Sequence, residues 1–244
     1  GVNSGVANFR SPVMANAVLK GLSSASVITE VVAECVVNGN RSKNADPYLG
    51  TISRELMRFG NLERILPDKM KREALQNLYE ELKSVSKIRT HPHFWLQYAM
   101  ARLSLGELDI ARRYFEQSYS YASKIRGYDT FQIDNHYCRL LLREAEDTID
   151  SDEAFKAVDE AMSTLKKQVL RENRHYPYRS VWSLEGVVKR HDFSWTEEQR
   201  AAILKGAYYL EDAAKRLEPH VARSVSVIGG LQRLKRVIGV LSRT

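Results

Sequence analysis

The chain has 244 residues, 43% apolar and 27% charged, with a formal net charge of +7. That balance can bury the core of one large domain or two small ones and excludes wholesale disorder. No run approaches the ~18 consecutive apolar residues of a membrane span, and the first ten residues lack the basic start and apolar run of a secretory signal.

Two cysteines, Cys35 and Cys138, exclude a disulfide scaffold or a multi-cysteine zinc site. Both fall in apolar periodic segments, where a free thiol serves as a small buried hydrophobe, and a reducing cytoplasm is the expected compartment. The sequence opens on Gly rather than Met, so a piece of a longer protein is expected.

Helical spacing dominates. Pro12, Pro47, Pro67, Pro92, Pro177 and Pro219 each precede a helical pattern and read as first-turn prolines, where no intrahelical N–H partner is lost. A helix is expected over 11–22. Residues 24–37 carry Val27, Val31, Ala33 and Cys35, β-branched enough to leave a strand open. The polar run 38–46, NGNRSKNAD, is expected as a loop.

Helices follow over 47–59, over 67–88 with Asp68 in the first turn, over 92–105 and 108–125 on either side of Gly106, and over about 129–148. TIDSDEAF supplies a cap for a helix over 152–171. Another runs from Pro177 to about 190. Thr196 and Gln199 form a capping box that opens a helix to Leu217. Pro219 starts the last helix, with Gly229-Gly230 as an interruption. The expected fold is all-α, about eleven helices joined by short turns.

A repeat is visible inside this array. Trp95, Gly106, Ala111, Phe115 and Ser118 fall in the register of a tetratricopeptide unit, in which small residues let two helices approach and aromatics fill the space between them. Arg102 stands where that motif usually has Tyr. Ala154, Val158 and Ala161 repeat the small–large–small spacing 43 residues after Ala111, Phe115 and Ser118, with Phe131, Ile133, Tyr137, Leu140 and Leu141 on the partner helix. A third pair is expected from 178–190 with 196–217. Such units stack into a solenoid with a face suited to binding.

The segment HPHFWLQYAMARLSLGELDIARRYFEQSYSYASKIRGYDTFQIDNHYCRLLL, with RHYPYR downstream, resembles the C-terminal helical repeats of bacterial STAND-type P-loop NTPases linked to antiphage defence. FRSPVMANAVLKGL (9–22) resembles the end of the winged-helix part of such proteins, and RELMRFGNLERILP (54–67) their linking helix. The resemblance covers most of 9–185. It implies a winged-helix remnant and linker over 1–65, and tetratricopeptide-like repeats with a capping helix over 66–244. No G-x4-G-K-[ST] occurs in the chain. The resemblance therefore implies that NTPase and effector domains lie upstream, and that this region recognises a trigger.

Three polar clusters are candidate binding surfaces. Asp134, Asn135, His136 and Arg139 form either a partner- or ligand-binding patch or a set of inter-helix bonds that fix the packing. Arg174, His175, Tyr176 and Arg179 combine charge with stacking surfaces, which suits nucleic acid or a loop that pins one repeat to the next. No acidic residue follows Glu218, so Arg223, Arg233, Lys235 and Arg236 make a basic C-terminal patch.

In the last helix Val225, Ile228, Leu231, Leu234, Ile238 and Leu241 form an apolar stripe expected to pack on the helix before it. His91 and His93 lack a third metal ligand. Glu80-Glu81 and Glu197-Glu198 read as solvated or capping carboxylates, and no G-x-S-x-G elbow occurs. No catalytic residue, metal or cofactor is expected. The expected function is protein recognition, with nucleic-acid binding and self-association as alternatives.

Overall fold

The computed structural model describes residues 25–42, 47–66, 68, 71–171 and 175–243. The expected helix over 11–22, the segment resembling a winged helix, and Arg174 lie outside the described residues. Every element among the described residues is helical and none is a strand. The chain divides into two compact units, the first ending at Lys124 and the second beginning at Ile125.

The first unit holds α1 (Ala25–Ser42), α2 (Pro47–Leu56), α3 (Phe59–Ile65), α4 (Lys71–Ser84), the single turn α5 (Ser86–Arg89), α6 (Pro92–Ser104) and α7 (Leu108–Ala122). Residues 43–46 lie outside the described residues; helix wins over strand in α1, which continues through Ser42 into the stretch 38–46 expected as a loop. Gly39 explains this: a Cβ there would lie 2.3 Å from Ser53 Oγ, and that hydroxyl donates to the Val36 carbonyl at 3.2 Å. Close contact with α2 thus holds a polar stretch helical. The buried stripe is Ile28, Val32 and Val36, so Val27, Val31 and Cys35 face outward. Cys35 is therefore not the buried hydrophobe expected, whereas Cys138 is.

The expected helix over 47–59 ends at Leu56. Side chains distant in sequence capture the backbone groups freed by the break: Tyr79 Oη donates to the Met57 carbonyl at 2.8 Å, and the Phe59 N–H donates to Gln97 Oε1 at 3.0 Å. The helix expected over 67–88 breaks at Val85, whose backbone is extended.

The two helices expected on either side of Gly106 form as α6 and α7 and pack against each other. Gly106 supplies the left-handed turn at φ 76°. Ala111, Phe115 and Ser118 are buried in the helix–helix seam, and Ser118 Oγ donates to the Pro92 carbonyl at 2.8 Å. Arg102 is buried too, donating to Glu107 Oε2 and to Tyr98 Oη, each at 2.6 Å.

The second unit holds α8 (Phe131–Asp147), α9 (Ser151–Arg171), α10 (Tyr176–Ser180), α11 (Leu184–His191), α12 (Glu197–Ala214), α13 (Pro219–Ala222) and α14 (Val225–Leu241). Tight turns at Val181–Ser183 and Asp192–Ser194 flank α11, so the helix expected from Pro177 to 190 is segmented. Helices α8 and α9 form the second hairpin, with Ala154, Val158 and Ala161 buried. Asp150 Oδ1 caps α9 by accepting the N–H groups of Asp152 and Glu153 at 2.8 and 3.0 Å, and the Thr196–Gln199 capping box opens α12.

The third expected pair does not form as a hairpin of its own. Helix α12 packs on α9 and α14, while α10 and α11 pack on α8 and α14.

Helix α14 runs unbroken through Gly229-Gly230, contrary to the expected interruption. These glycines are contact points: a Cβ on Gly230 would lie 2.5 Å from the Tyr178 carbonyl oxygen, and one on Gly229 would lie 3.0 Å from the Trp182 ring. Backbone proximity at Gly230 fixes which face turns inward. The buried stripe is Val227, Gly230, Leu234, Val237 and Leu241, while Val225 and Ile228 are exposed. As expected, α14 packs on α12, and it also covers α10 and α11.

Candidate functional site

Asp134, Asn135 and His136 are consecutive on α8 and serve different neighbours. Asn135 is buried, and its Oδ1 accepts the Ser180 hydroxyl at 2.9 Å, tying α8 to α10. Asp134 Oδ2 accepts the Gln168 amide at 2.7 Å and the Thr130 hydroxyl at 3.1 Å, tying α8 to α9. These two residues hold helices together.

His136 is half-buried, with Arg139 Nη1 3.3 Å from its Nδ1. Burial first, then the charges of Arg139 and Arg179, push its pKa down to about 3. His136 is thus neutral at pH 7, beside two exposed guanidiniums.

In the second cluster, Tyr176 packs edge-on against Phe131 at 6.1 Å, and the His175 ring lies 4.2 Å from the Tyr176 ring. Arg179 is exposed and pairs with no carboxylate among the described residues.

The basic C-terminal residues separate. Arg223 lies after α13, and Lys235 is exposed on α14. Arg233 and Arg236 lie one helical turn apart; Arg233 reaches the turn before α11, and Arg236 reaches α11 itself. The Arg233 guanidinium lies 4.8 Å from the centre of the Trp182 ring, and its Nη1 donates to the Trp182 carbonyl at 3.2 Å. Arg236 Nη1 donates to Glu185 Oε2 at 3.2 Å, and Lys189 Nζ donates to Glu185 Oε1 at 2.7 Å. Lys189 first and then Arg236 hold the Glu185 carboxyl below the usual carboxylate range, against the opposing effect of its burial.

These side chains border an open groove of about 470 Å³. Helix α11 supplies Glu185, Gly186 and Lys189 to one wall, and α14 supplies Arg233 and Arg236 to the other. Trp182 and Ser183 line the groove from the turn before α11, and Glu146 lines it from α8. A Cβ on Gly186 would lie 3.2 Å from Glu146 Oε1, so the small residue keeps this wall low.

Of the groove's lining only Arg233 and Arg236 stood among the expected site residues. Glu146, Trp182, Ser183, Glu185, Gly186 and Lys189 did not. The signal that could have found three of them is the spacing Trp182, Gly186, Lys189, which repeats at helical intervals.

The first unit carries a different polar cluster. Tyr79 and Tyr98 stack at 4.9 Å. Tyr98 Oη donates to Glu80 Oε1 at 2.5 Å and accepts from Arg102, whose other end meets Glu107. This network, buried at Tyr98 and Arg102 and open to solvent at Glu80, braces the helices that supply it. His91 Nδ1 accepts the His93 N–H at 3.2 Å and so caps α6. Among the described residues no cluster of three or more His, Cys, Asp or Glu side chains could hold a metal ion, and no helix is long and apolar enough to cross a membrane.

Lys189 and Arg236 meet as hydrogen-bonded ion pairs on the one carboxylate of Glu185, while Arg233 is held by Trp182, an arrangement suited to recognising charge on a ligand. No protein-family model, curated protein or solved structure matches the chain.

Proposed function

We propose that this chain is a recognition module for a protein partner, the sensor end of a STAND-type P-loop NTPase in bacterial antiviral defence, acting in the cytoplasm. The observation that carries this reading is the recurrence of one seam in two hairpins. Ala111, Phe115 and Ser118 in α7, and Ala154, Val158 and Ala161 in α9, are all buried at matching spacing. The segments that resemble the family's repeats supply these hairpins. Tetratricopeptide-like arrays of such hairpins present extended faces to partners.

Trigger binding would favour an active state of the upstream NTPase only through differential affinity for the two states. A shift from 1:99 to 99:1 needs about 5.5 kcal/mol of such difference. The test is the reading frame upstream of Gly1. A continuous frame carrying G-x4-G-K-[ST] supports the reading, and a frame that opens at Gly1 removes the NTPase from it.

The exposed corner of Arg139 and Arg179 beside Tyr176 favours a second reading, nucleic-acid binding. That reading requires affinity for a single-stranded oligonucleotide that falls steeply with salt.

A further inference from the structure

We propose that the groove between α11 and α14 docks an acidic peptide segment of the partner, gripped by Arg233, Arg236 and Lys189. This deepens the reading of the chain as a protein-recognition module and rests on it.

The cations are ordered before any ligand arrives. Lys189 and Arg236 are both tied to Glu185, whose side chain is only 9% exposed, while their own side chains are 60% and 59% exposed. Arg233 is held over the Trp182 ring and bonded to its carbonyl. An ammonium has three N–H donors and a guanidinium five, so each keeps donors for a ligand. Fixing long side chains in advance lowers the entropy cost of binding.

Charge is also left over. Among the described residues Arg233 pairs with no carboxylate. It lies three residues before Arg236, so the two guanidiniums share a face. Planar forks at that spacing suit neighbouring carboxylates on one peptide.

The same groove disfavours a nucleic-acid strand. Glu146 and Glu185 line it, and a phosphodiester backbone would meet them with charge of the same sign and no donor. A peptide brings N–H groups that these carboxylates accept. The Trp182 face that a base would stack on is already covered by Arg233.

The test is selection of random dodecapeptides from a display library on the purified chain, followed by anisotropy titration of the selected peptides. The expected result is enrichment of peptides with two or more Asp or Glu. Their affinity should fall by roughly tenfold or more in the Arg233→Gln/Arg236→Gln variant, be restored only in part in Arg233→Lys/Arg236→Lys, which keeps the charge but lacks the planar fork, and be unchanged in Lys205→Gln. Matching circular-dichroism melts establish that the variants fold.

Enrichment of neutral or basic peptides, no enrichment, or acidic peptides that bind the double Gln variant equally well would overturn the proposal. So would tighter binding of a single-stranded oligothymidylate than of the selected peptides. These outcomes are distinct from loss of the NTPase reading, which the upstream frame decides.

Discussion

Gly230 offers a direct test of how α14 is seated. In an exposed helix interior, Gly→Ala stabilises by about 1 kcal/mol through the unfolded chain and helix propensity. At Gly230 the added Cβ would meet the Tyr178 carbonyl oxygen at 2.5 Å, its Cβ at 2.8 Å and its carbonyl carbon at 3.0 Å. Two of these atoms are backbone and cannot swing aside. Helix α14 must instead retreat by roughly 1 Å, and gaps of that size forfeit a quarter to a half of the dispersion energy of the contacts they open.

Overpacking of this kind costs up to about 3 kcal/mol, so Gly230→Ala should destabilise by about 2 kcal/mol net. Gly239 lies on the same helix with nothing within 4 Å of its Cβ position, so Gly239→Ala should stabilise by up to about 1 kcal/mol. Gly206 is the intermediate case. Its Cβ would meet the flexible end of Met162 at 2.6 Å, and Gly206→Ala should be near neutral. Calorimetric unfolding should separate the Gly230 and Gly239 variants by about 6–12 °C, at about 2–4 °C per kcal/mol. A Gly230→Ala variant as stable as the parent would refute the close approach of α14 to Tyr178.

The buried Arg102 pair gives a second expectation. Arg102→Ala should cost about 2 kcal/mol because it removes a buried guanidinium's hydrogen bonds to Glu107 and Tyr98, which keep Arg72 and Glu80 as partners, and a double-mutant cycle with Glu107→Ala should show coupling between the pair. Two histidines predict acid sensitivity. His93, pushed down to about 4 by burial first and then by the neighbouring His91, and His136, at about 3, are held neutral when folded. The unfolded chain takes up protons near pH ~6.5 and the folded chain does not, so stability present above that pH is lost as pH falls toward 4. The slope is up to ~1.4 kcal/mol per pH unit for each histidine, and His136→Gln should flatten denaturation midpoints across that window. Asp150→Ala should lower the unfolding midpoint by uncapping α9. Phe193 is 93% exposed, so Phe193→Ser should change the unfolding free energy by less than about 0.5 kcal/mol.

The all-helical fold was legible because its strongest signals are local. The Thr196–Gln199 box, the turn at Gly106 and the small residues of α7 and α9 act over one or two helical turns. What the sequence did not reveal depends on groups far apart in the chain. The break after Leu56 is capped by Tyr79 and Gln97, which no window around residue 57 contains. Gly229-Gly230 read as an interruption because propensity penalises glycine in a helix, yet tertiary contact with Tyr178 and Trp182 requires it. Choosing Val225 and Ile228 as inward residues left the stripe misaligned for the same reason.

The candidate site was half legible. Arg233 and Arg236 stood out by charge alone, whereas Glu185 and Lys189 look like an ordinary i,i+4 surface pair until α14 is placed beside them. Asn135 and Asp134 drew notice as polar residues in an apolar helix, and their partners, Ser180 and Gln168, lie 45 and 34 residues away.

The most direct measurement is site-specific photo-cross-linking in living host cells, with a photoreactive phenylalanine at Ser183 in the groove or at the exposed Lys205 of α12, which does not line it. The expected result is a discrete protein adduct at position 183, mapped by mass spectrometry to an Asp/Glu-rich segment, absent at position 205 and lost with Arg233→Gln/Arg236→Gln. Equal adducts at both positions, or adducts to nucleic acid alone, would contradict the groove as a protein-recognition surface.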